Sequence, residues 1–209
     1  MPRLGADSLS DQQRIGVFGG TFDPIHNTHL ELARAAQQQA GLDAVLFVVS
    51  ATPPHKRTGV CLEAEDRYAM VSAALANEPG FAPSRIELDR VGPSYTADTL
   101  DQLAAAHPGA ALFLILGMDA VRDLPGWHQP QRILDRAHLL AARRPDAELP
   151  PMLAGHCTLL DFEERSQSSS AIRQRIANGE AVDHLLPPAV WQMIEQHGWY
   201  GHDRVRSHA

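Results

Sequence analysis

The sequence predicts an α/β fold: one doubly wound domain on a parallel sheet, completed by C-terminal helices. Three observations predict it. Apolar runs of strand length alternate with segments of helical periodicity along most of the chain. Glycine, proline and serine cluster at the junctions. No repeat, low-complexity tract or long linker divides the 209 residues, a length suited to one domain.

The run IGVF, at 15–18, reads as a short buried strand, and THLELARAAQQQAG as a helix that stops at Gly41. AVLFVVS, at 44–50, is a second strand, followed by the breaker cluster ATPPHKRTG. LEAEDRYAMVSAALAN has helical periodicity, with Tyr68, Val71 and Leu75 on one face. SRIEL gives a third strand, and SYTADTLDQLAAAH a helix that ends before Pro108. ALFLIL, at 111–116, AHLLAA, at 137–142, and CTLLDF supply three more strands. Two terminal helices, SSAIRQRIANG and PPAVWQMIEQHG, carry serine or proline in front and glycine behind; Trp191 and Trp199 read as packing in the last one. The folded domain is expected over 13–200, between a flexible tail at 1–12 and another at 201–209.

Composition narrows the function. A formal charge of −7 and a pI near 5.8 argue against a nucleic-acid partner, so attraction for an anionic ligand has to come from local dipoles and a few cations. Two cysteines, Cys61 and Cys157, make no disulfide framework or metal knuckle and fit a reduced, cytoplasmic compartment. The N-terminal segment lacks the apolar core of a signal peptide, and the longest apolar run is half a membrane span at most. No membrane partner is expected, and nothing here sets an oligomeric state.

In a doubly wound sheet, ligands bind beyond the carboxyl ends of the strands, where the strand order reverses. GGTFDPIHNTH, TPPHK and GMDAVRDLPGW all fall at such ends. Gly19 and Gly20 permit a sharp turn and close ligand approach, and the helix start that follows suits phosphate. A plain strand-to-helix turn would look the same. His26 and His29 lie on one side of that helix start, where protonation is costly unless an anion favours it. A zinc site has less support, because no HExxH pattern or cysteine partner accompanies the pair.

GGTFDPIHNTH resembles the GxFDPxHxGH signature of the nucleotidyltransferase superfamily. SSSAIRQRI, from Ser168 to Ile176, resembles the ISSTxIR element that completes the triphosphate site there. Between them TPPHK, GPSYTADTL, GMDAVRDLPGWHQPQRIL and ARRP match, in order, segments of the bacterial nicotinate-nucleotide adenylyltransferases. The resemblance covers about Ile15 to Tyr200 and implies a Rossmann-like domain that joins ATP to nicotinate mononucleotide. The products would be nicotinate adenine dinucleotide and pyrophosphate, in NAD biosynthesis, with Mg²⁺ carried by ATP. The alternative is an enzyme for nicotinamide mononucleotide, or for both.

By that resemblance the catalytic residues are His26, His29, Lys56 and Arg173, which hold the triphosphate and neutralise the leaving pyrophosphate. Gly19, Gly20, Thr21, Phe22, Thr28, Ser168, Ser169, Ser170 and Arg144 bind ATP. Serines before AIRQRI are also natural helix caps, and Lys56 could equally be one more exposed lysine. For the mononucleotide, Trp127 stacks on the pyridine ring, and backbone N–H groups near Thr96 and His128 receive its carboxylate. Tyr95 offers a second aromatic face. Gly117 and Asp119 meet the ribose, although Asp119 could be a mere helix cap.

The chain departs from these motifs at two places. Thr28 stands where the motif has glycine, and QSSS at 167–170 replaces ISST. Thr28 and Glu31 make a Thr-x-x-Glu pattern, so Thr28 is expected to cap the helix with its methyl against the adenine pocket. A dehydrogenase lacks support, since no GxGxxG follows the first strand, and no Gly-Lys pair marks a Walker loop. A non-catalytic nucleotide sensor would not need both phosphate-binding ends.

Overall fold

A computed structural model describes residues 12–51, 62–143, 149–163 and 167–202. Six strands form one parallel sheet in the order β3-β2-β1-β4-β5-β6. They are β1 (Arg14–Gly20), β2 (Ala44–Val49), β3 (Phe81–Ser84), β4 (Ala111–Leu116), β5 (Ala137–Arg143) and β6 (Cys157–Glu163). The helices are α1 (Asn27–Ala40), α2 (Ala64–Leu75), α3 (Thr96–Ala106), α4 (Met118–Asp123), α5 (Pro130–Arg136), α6 (Ser169–Ala177) and α7 (Pro188–His197). After β1 the chain winds outward through β2 and β3, then returns to β4 beside β1 and winds the other way. The carboxyl ends of β1 and β4 therefore flank the point where strand order reverses.

Strand periodicity of two sorts the core into two layers. Ile15 and Val17, Val48, Leu112, Leu114 and Leu116, and Leu139 face α3, α4 and α5. Phe18, Val45, Phe47 and Val49, Phe113 and Ile115, and Leu140 face α1, α2, α6 and α7. Both faces of the sheet are covered, which is why its strands read as continuous apolar runs. Gly41 and Gly198 end α1 and α7 in the left-handed region, as their positions in the sequence suggest.

Three expectations need correction. The third strand is FAPS, not SRIEL: Phe81 pairs with Val45 and Pro83 with Phe47, while residues 86–89 form turns. A proline is tolerated because β3 is an edge strand. Ile86 gave SRIEL its strand-like pattern by packing on the core margin. Secondly, the segment GMDAVRDLPGWHQPQRIL, expected only as a loop beyond a strand end, forms two short helices, α4 and α5, of six and seven residues. Finally, Trp199 lies beyond α7, in the 3₁₀ turn Trp199–Gly201, stacked 4.6 Å from the His197 ring. Of the two expected tails, residues 1–11 and 203–209 lie outside the described residues. His202 packs its ring edge-on against Trp191 at 5.1 Å.

Candidate active site

The backbone leaving β1 turns back on itself before α1. Phe22 takes a left-handed φ of 49° and lays its ring under Gly20, where a Cβ would meet ring carbons at 2.8–3.0 Å. Gly20 is thus required by the fold. Gly19 has open space at its Cβ position and is where a ligand can come close. Buried Arg67 holds the turn from below. Its Nη1 donates to the Thr21 carbonyl at 2.6 Å, its Nη2 to the Ser50 carbonyl at 2.8 Å and its Nε to the Leu62 carbonyl at 3.2 Å. Asp23 is also buried, and the Tyr200 hydroxyl donates to its Oδ1 at 2.7 Å.

His26 is the N-cap residue of α1, which corrects the expectation for Thr28: the threonine sits two residues further on, inside the first turn. The His26 and His29 rings stack with centroids 3.7 Å apart. The His26 N–H donates to His29 Nδ1 at 3.2 Å. A ring nitrogen that accepts a hydrogen bond carries no proton, so neutral His29 presents Nε2–H as a donor. His26 is only 3% exposed, and burial lowers its pKa from 6.5 to about 4. Its Nδ1 is buried and has no hydrogen-bond partner among the described residues. The cost of a cation at a helix N-terminus is therefore avoided in the ligand-free protein: His26 is uncharged there. No anion is needed to tolerate it.

The second segment closes onto this turn. Ser168 caps α6, its Oγ accepting from the Ala171 N–H at 3.2 Å. Ser169 Oγ donates to the Pro24 carbonyl at 2.9 Å, so its hydroxyl serves the fold. Arg173 Nη1 donates to the Asp23 carbonyl at 2.7 Å, and Nη2 to Ser170 Oγ at 3.3 Å. Thr28 Oγ1 donates to Gln167 Oε1 at 2.8 Å. Segments about 140 residues apart in sequence are bonded directly to one another. They line a cavity of about 340 Å³ that includes Thr21, His26, Thr28, His29, Ser170 and Arg173.

A second cavity, of about 840 Å³, lies on the other side of β1 and β4. Tyr95, Thr96, Asp119, Trp127 and His128 line it, and the Tyr95 and His128 rings lie 4.2 Å apart. Thr96 opens α3, which leaves the first N–H groups of that helix without partners inside it. Gly20, Thr21, His29 and Gly117 line both cavities, which therefore meet at the ends of β1 and β4. Asp119 stands in the first turn of α4 with its side chain 72% exposed and 3.9 Å from Arg122. Lys56 and Arg144 lie outside the described residues. Among the described residues, no group of three His, Cys, Asp or Glu side chains could hold a metal ion, and no helix is long and apolar enough to cross a membrane.

Sequence reasoning missed Arg67, Tyr200 and Glu87. Glu87 is buried at the wall of the larger cavity, where Thr99 Oγ1 donates to its Oε1 at 2.7 Å and burial pushes its carboxyl pKa up. A strand at SRIEL would have turned Glu87 away from the core. Arg67 looks like any charged helical residue, and only its burial reveals its work.

The cytidylyltransferase-like family model matches residues 17–175. A "Probable nicotinate-nucleotide adenylyltransferase" of Thermus thermophilus is 45% identical over 192 residues, covering 90% of this chain and 99% of its own. A protein of the same name from Saccharopolyspora erythraea is 41% identical over 194 residues, 92% of each chain. Among solved structures, the Plasmodium falciparum nicotinic acid mononucleotide adenylyltransferase complexed with NaAD superposes with a TM-score of 0.75. It covers 91% of this chain and 98% of its own at 16% identity, a likeness of fold.

Proposed function

The chain belongs to the cytidylyltransferase-like family, among the nicotinate-nucleotide adenylyltransferases, and on that premise we propose how it works. It transfers AMP from ATP to nicotinate mononucleotide, giving nicotinate adenine dinucleotide and pyrophosphate. The observation that carries this reading is the meeting of two cavities at Gly20, Thr21, His29 and Gly117. The smaller, lined by imidazoles, serines and Arg173, suits a triphosphate, and the larger, lined by Tyr95 and Trp127, suits a pyridine nucleotide. The α-phosphorus belongs where they join.

The reaction is an in-line attack by the mononucleotide's phosphate on that phosphorus. The nucleophile is already an anion at neutral pH, so the protein supplies neither base nor nucleophile. Its part is alignment and charge stabilisation. His29 donates from Nε2, and the His26 ring stacked on it lines the same cavity. Arg173, anchored on the Asp23 carbonyl, brings a fixed positive charge against the leaving pyrophosphate. By the resemblance Lys56 and Arg144, which lie outside the described residues, add to it. Ser168, Ser169 and Ser170 contribute the open N–H groups of the α6 start.

Mg²⁺ enters as part of the substrate, MgATP, with phosphate and water as its ligands, an arrangement suited to a hard ion that keeps its waters. On the mononucleotide side, donor-only N–H groups at Thr96 and His128 favour a carboxylate over a carboxamide, whose own NH₂ would oppose them. Trp127 stacks on the pyridine, and Gly117 and Asp119 meet the ribose. The reaction belongs in a reduced, cytoplasmic compartment, in keeping with a chain of only two cysteines.

Pyrophosphate release from ATP plus mononucleotide tests the proposal. Nicotinate mononucleotide should give much the larger kcat/KM. Equal values for the nicotinamide form would make the enzyme one of dual specificity, and no release with either would overturn the reading.

A further inference from the structure

The larger cavity lies between two helix starts, and one guanidinium ties them together. Thr96 opens α3 with Tyr95 as its N-cap, while Trp127 and His128 come just before Gln129, the N-cap of α5. Tyr95, Thr96, Trp127 and His128 line the cavity from these two sides. Arg132, in the first turn of α5, lies outside both cavities and reaches across to α3. Its Nε donates to Asp101 Oδ2 at 2.7 Å, its Nη2 bonds the same carboxylate oxygen, and its Nη1 stands 3.1 Å from Asp98 Oδ1. Nη1 also donates to Gln129 Oε1 at 2.8 Å. Gln129 takes a left-handed φ of 53°, which residues other than glycine seldom adopt, and this turn steers the chain from His128 into α5.

We propose that Arg132 is a positioning residue for the mononucleotide: it fixes the separation of the two walls between which that substrate binds. The inference rests on the mononucleotide occupying the larger cavity. Asp98 stands in the first turn of α3, just after Thr96, and Asp101 follows on the same side of the helix. Holding both carboxylates and Gln129 at once takes a planar fork of donors, which arginine has and lysine lacks. Exposed ion pairs of this kind add little to folding. Their effect here is geometric. The Tyr95 and His128 rings, 4.2 Å apart, sit at the cavity end of the same junction, so a shift of α5 against α3 moves both walls. Arg136, one helical turn further along α5, also donates to Asp101, but from the side away from the helix starts.

The test separates the two substrates. Wild type, Arg132→Met, Arg132→Lys and Arg136→Met are assayed for KM of nicotinate mononucleotide, KM of ATP, kcat and ligand-free melting temperature. Arg132→Met should raise KM for the mononucleotide about fivefold or more, with KM for ATP and kcat within about twofold of wild type, because only one substrate's contacts are displaced. Arg132→Lys should fall between the two, keeping the charge without the fork. Arg136→Met should stay close to wild type, and all three variants should melt close to it. A mononucleotide KM that is unchanged in Arg132→Met, or that rises together with KM for ATP, would overturn the inference while leaving the adenylyltransferase reading intact. So would a lower kcat and melting temperature at unchanged KM, the mark of a merely structural residue. A wild type that turns over no mononucleotide would overturn both.

Discussion

His26 gives the account a quantitative test that needs no ligand. Its imidazole is buried at the start of α1, and its pKa falls from 6.5 to about 4. Above pH 6.5 the ring is neutral in both folded and unfolded chains. Between 6.5 and 4 the unfolded chain takes up a proton that the folded one refuses, so stability falls as the pH is lowered through that window. At about 1.4 kcal/mol for each pH unit, the loss is on the order of 3 kcal/mol. In a domain of this size that corresponds to roughly 10 °C in melting temperature. The assay is thermal unfolding, followed by circular dichroism from pH 8 to pH 4, for wild type and His26→Asn. Subtracting one curve from the other removes every other titrating group. The advantage of wild type over the variant should shrink by about that amount on acidification. A difference that stays flat would show that His26 is solvated, and the argument for an uncharged N-cap would fail.

Glu87 titrates in the opposite sense. Its carboxyl pKa is raised by burial, so the folded state binds the proton more tightly and loses stability as pH rises above the ordinary carboxyl value. Glu87→Gln, which keeps an acceptor for Thr99, should therefore be more stable than wild type at pH 8 and no more stable at pH 4 in urea unfolding. Tyr200→Phe removes the hydroxyl donor from buried Asp23, a loss of about 1–3 kcal/mol. Because Asp23 and its carbonyl neighbour Arg173, the same change should lower kcat for pyrophosphate release severalfold; unaltered stability and kcat would mean that Asp23 is satisfied without it.

The long-range order of the fold was legible because buried parallel strands and amphipathic helices leave different periods in the sequence. The limits of legibility are physical as well. FAPS was invisible as a strand because proline argues against one, and an edge position is known only once the sheet exists. The short α4 and α5 carry too few turns for a periodic pattern. In the site, Ser168 was readable as a cap because capping is local. The partners of Arg67 and Tyr200 were not, since their bonds reach across 46 and 177 residues. The neutral state of His26 follows from burial, which no spacing of histidines announces.

The central claim is that the His26–His29 turn and the Ser168–Arg173 helix hold one triphosphate between them. Side-chain nitrogen resonances of His29 and Arg173 can be followed in ¹⁵N-labelled protein during titration with a non-hydrolysable ATP analogue. Both should move together along a single binding curve, and adding pyrophosphate in excess should return both. If one moves while the other stays where it was, the two segments serve different ligands and the proposed cradle does not exist.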